Sequence, residues 1–152
     1  MITILKKLKE ELQKIEYVKA ENVSIAPHEA IVPNSAQMPC ILIKDGRITK
    51  KELFSNMMEE TLDVKIAVYV KIQKPEASIM GDPSTNQKGI LEIVQEINSM
   101  LDENNLNIDN IQSAICISET ESEPFLRGEK TTANMIQRKI LTYQYIREVE
   151  RT

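Results

Sequence analysis

A chain of 152 residues with 41 % hydrophobic content is long enough for a real core and too apolar for wholesale disorder; its length predicts a single domain over residues 1–152. A formal net charge of −4, with a sequence pI of about 5.2, argues against a general nucleic-acid binder, which carries a basic surplus. With no Trp, two Phe and four Tyr, the core has to be built from Ile, Leu, Val and Met.

Residues 2–16 predict an amphipathic helix, with Ile4, Leu5, Leu8, Leu12 and Ile15 on one face and Thr3 as its N-cap. Its charges are mixed in sign, which favours packing on a sheet over lying on a membrane. The N-terminus lacks a basic start followed by an apolar block, so no signal peptide is expected, and no apolar run approaches a membrane span. Residues 17–38 read as irregular, with a short strand near Asn22–Ile25 and breaks at Pro27 and Pro33. A strand is expected over 39–44, followed by a tight turn at Asp45-Gly46 and a short return strand.

Thr61–Ile72 carries the strongest signal in the chain. Leu62, Val64, Ile66, Val68, Val70 and Ile72 alternate with Asp63, Lys65, Ala67, Tyr69 and Lys71, which is the two-residue period of a half-buried strand. Ala67 and Tyr69, at the centre of the more polar side, suit a face that is wet or partly covered by another subunit. Residues 73–88 are rich in Pro, Ser, Asn and Asp and read as a long loop with Ile79 and Met80 stranded inside it. Residues 89–103 predict a second helix with a wide stripe of Ile90, Leu91, Val94, Ile97 and Leu101.

Residues 111–118 alternate Ile111, Ser113, Ile115 and Ile117 against Gln112, Ala114, Cys116 and Ser118, predicting a strand with one strongly apolar face. Residues 119–134 read as a second long polar loop, again with an apolar pair, Phe125 and Leu126. A last long strand follows over 135–149, with Leu141, Tyr143, Tyr145 and Val149 on one face and Ile140, Thr142 and Ile146 on the other. The predicted architecture is α+β: two layers, a mostly antiparallel β-sheet with two helices packed on one face.

Catalytic patterns are sparse. The four glycines form neither of the phosphate-binding loop patterns, and His28 is a lone histidine in a Pro-rich stretch. Cys40 and Cys116 lie in apolar strand-like runs without a CxxC spacing and read as reduced, buried thiols. Asp63 and Glu119 stay open as acid/base carboxylates, because pKa tuning is invisible in a sequence. No clustered ligands call for a metal, and no cofactor is expected.

The order of elements resembles the tail terminator, or tail-completion, proteins of long-tailed bacteriophages and prophages. The residues that carry the resemblance run from the N-terminal helix at Leu5 through the Pro39-Cys40-Ile41-Leu42-Ile43 strand and the long alternating strand. It continues through the helix ending at Leu101–Asn105 to the last strand at Val149. The resemblance implies a structural virion protein, made in the host cytoplasm, that forms a ring, usually a hexamer, on the end of the tail tube. It implies the tail tube protein and the head-tail connector protein as partners, and DNA passing through the lumen without sequence-specific binding. In such a ring Ala67, Tyr69, Tyr143 and Tyr145 are oligomer-interface candidates, and Ile79, Met80, Phe125 and Leu126 are partner-docking candidates. Two other readings stay open: a dimeric ligand-binding or regulatory α+β module, and an enzyme using a carboxylate or a cysteine.

Overall fold

The structure is a computed structural model that describes residues 1–33, 35–126 and 135–151. Its strands are β1 (Val23–Ile25), β2 (Cys40–Glu52), β3 (Met57–Lys71), β4 (Ile111–Glu119), β5 (Glu123–Leu126) and β6 (Met135–Glu150). Its α-helices are α1 (Ile2–Leu12), α2 (Pro75–Met80) and α3 (Ile90–Leu101). The fold is α+β, with a six-stranded sheet in the order β1-β2-β3-β6-β4 and β5 paired to β6 beyond the end of β4. Only the β1–β2 pairing is parallel.

β3 is the spine of the sheet, as its alternation predicts. It pairs β2 on one side and, over Met57–Lys71, β6 on the other. Its apolar row of Leu62, Val64, Ile66, Val68 and Val70 is buried beneath the helices with Ile41, Ile43, Leu141, Tyr143 and Tyr145. Ile4, Leu8 and Leu12 of α1 and Ile90, Ile93, Val94, Ile97 and Leu101 of α3 close that layer. Each such aliphatic side chain taken out of water stabilises the fold by about 1.5–3 kcal/mol before entropy is charged. α1 is shorter than its periodicity suggests. Met1, not Thr3, is its N-cap, with no side-chain hydrogen bond, and Gln13 ends it. α3 starts at Gly89, whose N–H donates to the Glu92 carboxylate at 3.1 Å. Beyond α3, Asn104 and Asn105 side chains accept the backbone N–H groups of Leu106 and Asn107, which holds the chain in a tight connection to β4.

Four sequence expectations need correction. Asp45-Gly46 is not a turn: β2 runs through it with a bulge between Asp45 and Ile48, and the hairpin closes later, at Leu53–Asn56. Ser55 and Asn56 both take positive φ there, of 54° and 67°, as a twist-matched hairpin turn requires. The 73–88 stretch holds α2 and a small Asp82–Gln87 bridge, and the 119–134 stretch holds β5; residues 127–134 lie outside the described residues. In β4, bulges between Ile111 and Ser113 and between Cys116 and Ser118 break the alternation. Ile111 and Ala114 therefore face the core, while Ile115 and Ile117 are 41 % and 45 % exposed.

Candidate functional site

Among the described residues, the second face of the sheet carries a small core of its own. From the described residues before β2, Ala26, Val32, Ala36 and Met38 pack against Cys40, Leu42, Ala67, Tyr69 and Ile136, with Phe125 of β5 alongside. The Tyr69 hydroxyl donates to the Glu29 carbonyl oxygen, and its ring meets Phe125 edge-on at 5.7 Å. Arg138 lies 4.5 Å over the Phe125 ring and pairs with Glu123 at 2.5 Å. Desolvation, opposed in part by the Arg138 hydrogen bond, pushes the Tyr69 phenol up to about 12.

All four oligomer-interface candidates are thus inside the chain. Ala67 and Tyr69 belong to the small core just described, and Tyr143 and Tyr145 to the main core under the helices. The expectation of a semi-apolar outer surface at these positions is corrected: Ala26, Val32, Ala36, Met38, β5 and the helices provide the cover. Burial raises the Tyr143 and Tyr145 phenols well above the usual range; the Tyr143 hydroxyl donates to Oδ1 of Asn98 on α3. The docking candidates are dispersed. Ile79 is half-buried and Met80 is 62 % exposed on α2, Phe125 is packed on Tyr69, and Leu126 is half-buried.

The chemistry-bearing residues are separated. His28 is exposed, with Nδ1 accepting the Ala30 N–H at 2.9 Å. Asp63 accepts from Gln144 at 3.1 Å, and Glu119 lies 3.6 Å from Lys139 and 3.2 Å from the Asn98 amide. Cys40 is buried in the small core and Cys116 is half-buried against the main one, so no bridge joins them. Burial pushes the Cys116 thiol up, opposite to the direction a nucleophilic thiolate needs. Among the described residues no group of three His, Cys, Asp or Glu side chains is placed to hold a metal ion, and no helix is long and apolar enough to cross a membrane.

The open surfaces lie where sequence reasoning did not place them. β1 covers β2 only at Ile41–Ile43, so from Lys44 to Glu52 the outer edge of β2 has no strand beside it among the described residues. On the opposite side β4 is likewise an edge. The Glu103 N–H donates to the Ala114 carbonyl at 2.9 Å, and among the described residues no strand lies beside Ile115–Glu119 on this edge. A groove of about 720 Å³ runs between that edge and α3, lined by Asn98, Asp102, Ile115 and Cys116 among others. It continues past Asn98 into a second section of about 360 Å³ that reaches Glu119, Leu91 and Met80. At the tip of the β2–β3 hairpin, Phe54 is 91 % exposed. A single Phe among Leu, Ser and Asn carries no period, so nothing in the sequence marked it; the bulges that expose Ile115 and Ile117 leave no mark either.

No protein-family model matches the sequence, and no curated protein matches it. Among solved structures, the fold is similar to that of a chain in the virion of the native gene transfer agent (GTA) particle. That likeness has a TM-score of 0.52 and 12 % identity, over 95 % of this chain and 94 % of the other.

Proposed function

We propose that this chain is a structural component of a phage-like virion, and more narrowly a tail terminator: a ring-forming protein that caps the tail tube and meets the head connector. The observation that carries the reading is the end-to-end likeness of fold to a chain of a gene transfer agent virion, which spans nearly all of both chains. The order of elements resembles the terminator family independently of that likeness. Two features of the surface fit the role. Among the described residues the sheet has an open edge on each side, and a cyclic ring uses two different patches per subunit. The net charge of −4 suits a lumen that lets DNA pass without gripping its phosphates.

In this reading the partners are further copies of the chain, the tail tube protein and the connector protein. Met80 and the exposed Phe54 are the surface residues best placed for docking. The test is solution mass by light scattering with negative-stain imaging over a range of concentrations, repeated with tail tubes added. Closed rings, free or at tube ends, with tube growth arrested, are expected. A strict dimer that ignores tube ends would sink the proposal and favour a dimeric ligand-binding module.

A further inference from the structure

The two open edges differ in charge. Along β2, the open stretch carries Lys44, Arg47, Lys50 and Lys51 against Asp45 and Glu52. Arg47 and Lys51 are exposed, with no carboxylate within 4.0 Å among the described residues. Rows of Lys are how strand edges avoid pairing with arbitrary chains, so this edge admits only an acidic partner. Ile48 sits in the same stretch as an exposed apolar residue.

The β4 edge is acidic and apolar. Ile115 and Ile117 are exposed on the strand, and Glu119 and Glu121 lie at its end. The adjoining groove is lined by Asp102, Glu92 and Glu119 and by no Lys or Arg; Lys139 lies behind Glu119 at 3.6 Å and Lys88 beside Glu92 at 3.9 Å, which leaves Asp102 as the carboxylate without a lysine partner among the described residues. An open edge with two exposed isoleucines lacks the Lys that protects β2.

We propose that these two edges are the complementary halves of one contact between copies of this chain. Ile115–Glu119 of one copy takes the Arg47–Lys51 stretch of the next, so that the sheet continues from subunit to subunit. The backbone groups of Ile115–Glu119 gain hydrogen-bond partners, the exposed isoleucines gain a neighbouring strand, and a basic strand is set beside the acidic end of β4. Pairing each edge with itself is disfavoured: β4 on β4 sets carboxylates together, and β2 on β2 sets Arg47 and Lys51 together. The contact is therefore head-to-tail, the type that closes into a ring or runs on as a filament. This deepens the proposed ring and rests on it only for closure.

Cross-linking tests it. In a Cys116→Ser background, Thr49→Cys and Ser118→Cys are made separately, mixed, and treated with a short bismaleimide; both positions are exposed. Cross-linked dimers are expected in the mixture and not from either variant alone, with a ladder from the double variant. A self-cross-link of either variant would overturn the proposal. So would the absence of any cross-link in the mixture while light scattering shows an assembly, a result that leaves the ring reading standing. Cross-linked open filaments would do the reverse. A protein that stays monomeric to its solubility limit without cross-links overturns the contact and leaves the ring to the tube-end assay. Lys51→Glu should weaken assembly about tenfold in low salt, and mixing it with Glu119→Lys should restore it. Unchanged affinity in Lys51→Glu overturns the charge pairing.

Discussion

The hydroxyl of Tyr143 donates to Asn98, whereas that of Tyr145, two residues on along the same face of β6, is buried without an acceptor among the described residues. A desolvated hydroxyl with no partner costs about 1–3 kcal/mol, and a typical made bond contributes about 1 kcal/mol. Tyr145→Phe should therefore leave stability unchanged or raise it by about 1 kcal/mol. Tyr143→Phe should lower it by a similar amount, about 2–4 °C in Tm for a chain of this size. Urea unfolding of the two variants in parallel checks this; equal losses in both would show that Tyr145 has a partner. The sequence told which residues share a face of β6, because alternation is a property of the strand itself. It did not tell which face is covered, because cover is supplied by distant segments. Ala67 and Tyr69 are on the more polar side of β3, as their position suggests, but Ala26, Ala36, Met38 and Phe125 cover them.

Single elements were legible where one period dominates over many residues. β3 and α3 are the clear cases, each a few residues from its expected bounds. The signal failed where a short motif has two structural uses. Asp-Gly makes tight turns, but glycine also lets two backbones approach closely. In β2 the second use wins: a Cβ on Gly46 would lie 2.5 Å from the backbone oxygen of Asp63 on β3. Gly46→Ala should then force the strands apart and destabilise the protein by about 1–3 kcal/mol, the range for overpacking a tight contact. Chemical denaturation is the measurement, and a loss under a few tenths of a kcal/mol would show that the bulge accommodates a side chain. Short elements such as α2 and β5 lack the length for any period to show, so their stretches read as loops.

At the scale of the molecule, the arrangement of strands and helices into an α+β two-layer fold was readable. The second small core and the two open edges were not, since both depend on which strands end up adjacent. One bulk property follows from the two cores together. Tyr69, Tyr143 and Tyr145 are all raised above the ordinary phenol value of 10.0, chiefly by desolvation, with Tyr69 at about 12. A group whose folded pKa is raised keeps its proton where the unfolded chain releases it. The resulting stability is fully present below pH 10 and is lost as pH rises toward 12. The tyrosinate absorbance of Tyr69, Tyr143 and Tyr145 should thus appear together with loss of far-UV circular dichroism; Tyr17, half-buried against the main core, is raised as well, by desolvation and the nearby Glu96. All four titrating while the dichroism holds would contradict the burial. That the three sit in two separate cores makes the transition a report on both layers at once.

β6 follows every other described element in the chain, yet it lies between β3 and β4 and also carries β5. During synthesis, β3 and β4 have no common neighbour until Met135–Glu150 has left the ribosome. Until then α3 has only part of its sheet to pack on, and the main core lacks Leu141, Tyr143 and Tyr145. The order of synthesis thus makes the last strand the keystone. A nascent chain stalled before it exposes much of its apolar surface, and completing β6 closes the main core and forms the β4 edge in the same event.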